Sequence, residues 1–179
     1  AQVEIGMVGV WDTVKALGLR LPVLWRLTEA AHDFHSHHLG NKIRHGYHAL
    51  ALNETRAAYA PEPWEATHTW PGHVEQVWFR GSHGDIGGQL CGFTPARGLS
   101  NIPLTRRRGR AEACGLSLPQ GWRARFPCDA DAPSSGSWRG WARLFVLRGR
   151  RRPGRDPSER LHPTALGTRA ARRCDLPLA

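Results

Sequence analysis

The sequence predicts an α/β fold, a mostly parallel sheet with flanking helices. Two observations lead there. Residues 3–10 and 74–79 are rich in β-branched and apolar side chains, as in strands buried on both faces of a parallel sheet. Each run is followed by a polar residue, Asp12 after the first and His83 after the second, with helix-like patterns between them. Polar groups so placed belong in the crevice at the carboxyl ends of parallel strands.

Taken in order, residues 3–10 form the first strand. Residues 22–38 carry Val23, Leu24, Leu27, Ala30, Ala31 and Phe34 at helical spacing, with Gly40 as a stop. Residues 45–58 read as a second helix through Tyr47, Leu50, Ala51 and Glu54, ended by Pro61 and Pro63. A loop over 64–73 leads to the second strand, which runs into a glycine-rich turn at 81–88. Residues 99–116 suit a helix with Ile102, Leu104, Ala111 and Ala113, although Arg106–Arg110 cuts its apolar face. Residues 117–137 read as loop, 138–147 as a short amphipathic element and 148–179 as a basic, flexible tail. The domain is accordingly expected to span residues 1–147.

With 179 residues the chain is long enough for one domain with a real core. No run approaches the ~18 apolar residues of a membrane span, and the first residues lack the pattern of a signal peptide. The first methionine is Met7, within the first strand, so the expectation is that the natural start lies upstream. Cysteines at 91, 114, 128 and 174 have no paired spacing, which favours reduced thiols in a cytoplasmic protein over a zinc site or a disulfide framework.

Charge is divided unevenly. Residues 1–90 hold 7 basic and 9 acidic side chains, net −2, whereas residues 91–179 hold 18 and 6, net +12. Nearly all the basic residues are arginine, a bias that composition alone can produce, so nucleic-acid binding does not follow from it. The runs 106–110 and 148–155 read as solvated faces, with contact to phosphates of lipid headgroups or nucleic acid as the functional alternative. His32, His35, His37 and His38 invite a metal reading, but nothing selects the three or four convergent ligands that zinc needs. No cofactor is implied, since Gly81, Gly84, Gly87 and Gly88 do not form a phosphate-binding fingerprint.

Acyl transfer by a triad needs a nucleophile, an imidazole to carry its proton and a carboxylate to orient the imidazole. On α/β-hydrolase sheets these follow the order serine, acid, histidine. Asp12 and His83 stand in the order of the last two. Asp85, two residues beyond, suits local side-chain to backbone bonds that fold the glycine-rich turn.

Three ordered motifs carry a family resemblance: Gly9-Val10-Trp11-Asp12-Thr13-Val14, then His48-Ala49-Leu50-Ala51-Leu52-Asn53-Glu54-Thr55-Arg56, then Val77-Trp78-Phe79-Arg80-Gly81-Ser82-His83-Gly84-Asp85-Ile86-Gly87-Gly88. Together they resemble the α/β-hydrolase family first catalogued as domain of unknown function 2235, which includes the catalytic domains of type VI secretion phospholipase effectors. Leu99-Ser100-Asn101-Ile102-Pro103-Leu104 and Arg160-Leu161-His162-Pro163 extend the likeness. The resemblance implies Asp12 as triad acid, His83 as general base, an ester or phospholipid substrate, transient contact with a membrane surface and export by a type VI system. It also implies a nucleophile serine in a G-x-S-x-G elbow, which these 179 residues lack; Gly136-Ser137-Trp138-Arg139-Gly140 has the wrong offset. The expectation is therefore a partial α/β-hydrolase fold, with the N-terminal strands and elbow missing, inert by itself. The competing reading is a non-enzymatic basic protein that binds anionic membrane or nucleic acid through its arginines.

Overall fold

A computed structural model describes residues 3–14, 39–66 and 70–166. Four parallel strands form one sheet in sequential order: β1 (Ile5–Trp11), β2 (Ile43–Ala51), β3 (His73–Phe79) and β4 (Glu159–Leu161). Two α-helices follow β3, the short α1 (His83–Gly87) and the longer α2 (Arg97–Ala113). This parallel sheet with flanking helices is the partial α/β fold expected from the sequence. The register pairs Trp11 with Ala49 and Ala51 with Phe79, so the carboxyl ends of β1, β2 and β3 lie along one edge. Asp12 and His83 both emerge there.

The second predicted helix, 45–58, is instead strand β2 followed by a turn and a single 3-10 turn at Ala57–Tyr59. Residues such as Ala49, Leu50 and Ala51 favour a helix locally, but here they sit between two parallel neighbours and are all buried. A strand covered on both faces shows no alternation of polar and apolar residues, so the two-residue period was hidden. The helix expected over 22–38 and the histidine cluster within it lie outside the described residues.

Ala49, Ala51, Val77 and Phe79 of the sheet pack with Ile86 of α1, and Ile102 of α2 closes over them. The arginines do not end α2, which runs 17 residues through Pro103. Arg106 and Arg110 both reach Glu75 on β3, at 2.8 and 2.6 Å, and buried Arg107 donates to the Val10 carbonyl at 2.6 Å. Their hydrocarbon stems cover the sheet while one terminal nitrogen of each finds an acceptor, so a polar sequence builds a packed face.

Residues 148–166 also differ from the reading as a tail. Glu159–Leu161 adds the fourth strand, and Glu159 accepts the indole N–H of buried Trp78 at 2.7 Å. The element expected over 138–147 is present as a 3-10 helix, Gly140–Leu144.

Candidate active site

Asp12 is the first residue beyond β1, with a left-handed backbone (φ 44°) that aspartate tolerates better than bulkier residues. Backbone contacts define this turn. The Asp12 N–H donates to the Ala49 carbonyl at 2.7 Å, and the Thr13 N–H donates to Nε2 of His48 at 3.1 Å. His48, on β2, is buried, and burial pushes its imidazole down to about 4. It therefore serves as a neutral acceptor beneath the turn.

His83 opens α1. Its position follows from the capping box before it, in which Ser82 and Asp85 satisfy each other's free groups. Asp85 also accepts from the Ser134 hydroxyl at 2.5 Å and the Ser135 N–H at 2.9 Å. It ties the turn to a distant loop in addition to folding it locally. Glu54, fully buried after β2, receives the His83 N–H at 3.1 Å and the guanidinium of Arg56 at 2.7 and 2.8 Å.

These elements bring Asp12 and His83 together. Nδ1 of His83 lies 2.8 Å from Oδ2 of Asp12, the carboxylate having no exposure and the imidazole about a quarter (27%). An ionised carboxylate only accepts, so Nδ1 carries the proton and Nε2 is the nitrogen open to a reacting group. Tyr59 stacks edge-on against the imidazole, ring centres 4.9 Å apart, and Arg56 lies over the Tyr59 ring.

A third residue completes the site and was not foreseen. Arg151 donates to Oδ1 of Asp12 at 2.5 Å and to Oδ2 at 3.0 Å, as well as to the carbonyls of Ala51 and Tyr59. Burial pushes the Asp12 carboxyl up, but the His83 hydrogen bond, the Arg151 charge and hydrogen bonds and the Ala51 N–H together hold it below the usual carboxylate value. The acid is thus ionised although buried. No sequence signal singles Arg151 out within an arginine-rich segment that reads as solvated.

Among the described residues, no serine hydroxyl bonds to His83 and no group of three or more His, Cys, Asp or Glu converges on a metal position. His162 is stacked on Phe79 at 4.6 Å and bonded to Thr164.

Residues 1–106 match the family model of the type VI secretion phospholipase effector Tle1-like catalytic domain. The chain belongs to this family. It is therefore a member of a phospholipase-type hydrolase family. No curated protein and no solved structure matches the chain. The Tle1-like match includes Asp12, His48, Glu54 and His83 and ends before Arg107, Arg151 and β4.

Proposed function

We propose that the Tle1-like chain supplies the acid and base of a serine hydrolase acting on phospholipid esters, the nucleophile being provided from outside these 179 residues. The observation that carries this is the 2.8 Å Nδ1 to Oδ2 contact between His83 and a fully buried, ionised Asp12 at the sheet edge. A serine hydroxyl at Nε2 would lose its proton to His83 as it attacks the ester carbonyl. His83 would return that proton to the leaving alcohol, with Asp12 stabilising the imidazolium in between. On this reading the protein is an α/β-hydrolase of the domain-2235 type, its substrate a membrane lipid reached after type VI export.

The competing reading as a basic binding protein has less support, because Arg106, Arg107, Arg110, Arg148 and Arg151 are engaged within the fold. Among the described residues no helix is long and apolar enough to cross a membrane.

The test is hydrolysis of short-chain esters and phospholipid vesicles. Residues 1–179 alone should show none above background. A chain preceded by a strand-turn-helix segment bearing G-x-S-x-G should be active and lose activity with His83→Ala. Turnover by residues 1–179 that is abolished by His83→Ala would instead place a nucleophile within them, and activity of the extended chain indifferent to His83 would sink the assignment.

A further inference from the structure

Arg151 sits 139 residues from Asp12 in sequence, yet its guanidinium spans both carboxylate oxygens. Its side chain is only 6% exposed. Its two terminal nitrogens also donate to the carbonyls of Ala51, at the end of β2, and Tyr59, whose ring packs on His83. The guanidinium therefore joins the three segments that surround the Asp12–His83 pair. A planar fork on a carboxylate sets its rotation as well as its charge, and Oδ2 is the oxygen turned to Nδ1.

We propose that Arg151 is a positioning residue for Asp12, fixing the carboxylate's orientation toward His83 and sharing its negative charge. This rests on the reading of Asp12 and His83 as triad acid and base. Arg151 and the Nδ1–H of His83 then share one carboxylate. Removing Arg151 would leave a buried carboxylate with His83 as its main counter-ion, so His83 should hold its proton to higher pH. Among the described residues, the other charged or titratable groups around the pair include Glu54, which accepts the His83 N–H; Arg56, paired with Glu54 and lying over Tyr59; Tyr59 itself; His48 beneath the Asp12 turn, with Arg107 near it; and Glu62, whose N–H meets the Thr13 carbonyl. The substitution leaves these side chains in place, but it frees the Tyr59 carbonyl and removes a charge that also acts on His48.

The experiment follows the imidazole resonances of the 179-residue chain by NMR from pH 4 to 9, with the His83 signal assigned through His83→Gln. Arg151→Met is expected to raise the His83 titration midpoint by about one unit, and Arg151→Lys to bring it most of the way back. Arg151→Gln, which keeps donors for the two carbonyls, gives the same upward shift where the methionine variant does not fold. Folded variants in which the midpoint stays put would overturn the inference, as would failure of all three to fold, since Arg151 would then serve the fold alone. Asp12→Asn separates the two levels. If it leaves the His83 midpoint unmoved, the triad pairing itself fails; if it moves the midpoint while the Arg151 variants do not, only the role of Arg151 fails.

Discussion

The N–H of His83 donates to Oε2 of Glu54, 3.1 Å away and 29 residues earlier in the chain. Through this bond the turn after β2 holds the start of α1, and with it the imidazole. Burial pushes the Glu54 carboxyl up, yet the Arg56 hydrogen bonds and charge and the His83 N–H bring it below its ordinary value. Its side chain has no exposure, and that of Arg56 is only 11% exposed. Glu54→Ala strands a buried guanidinium and three backbone donors, and should cost about 3–5 kcal/mol. Urea unfolding would measure it; a loss below about 1 kcal/mol would mean the pair behaves as a surface ion pair.

Buried His48 and partly buried His162 set the acid limit. Burial pushes His48 and His162 from the ordinary 6.5 down to about 4. Between those values the unfolded chain binds more protons than the folded one, so stability is full above 6.5 and falls as pH drops toward 4. Each histidine contributes at most roughly 3 kcal/mol to that loss. The lowered carboxylates of Asp12, Glu54 and Asp85 behave differently, their contribution being lost only as pH falls below the ordinary carboxylate range near 4 and through their depressed folded values. Unfolding free energy measured between pH 7 and 4 should decline, and His162→Gln should flatten the decline. An unchanged slope in that variant would show that His162 titrates freely.

Two glycines of the turn respond oppositely. Gly81 has φ 130°, and a Cβ added there would lie 2.8 Å from Cβ of Asp85, so Gly81→Ala should cost about 1–3 kcal/mol in strain. Gly87 lies within α1 with open space around it, so Gly87→Ala should be neutral or stabilise by up to about 1 kcal/mol. Equal effects in thermal unfolding would mean that backbone angle does not decide either position.

The boundary expected at residue 147 is tested by truncation. A chain ending there loses β4 from the sheet, Glu159 from the Trp78 indole and Arg151 from Asp12. Its unfolding should lose cooperativity, with fluorescence and circular dichroism transitions that no longer coincide. A single coincident transition would show residues 148–179 to be dispensable for folding.

The sequence by itself determined β1, β3, their shared edge and the approach of Asp12 and His83, because strand ends on a parallel sheet face one crevice whatever lies between. It also identified Asp85 as a turn-forming residue, since capping is local. Tertiary structure decided the rest. Residues 45–51 became a strand only because two neighbours offered hydrogen bonds on both sides, a contact that no window of local residues contains. The arginines of α2 became part of a packed face because Glu75 and the Val10 carbonyl lie within reach of their long stems. Arg151 became the partner of Asp12 for the same reason. One arginine among many is distinguished only by what it meets, and the meeting depends on how residues 148–161 run back to place β4 against β3.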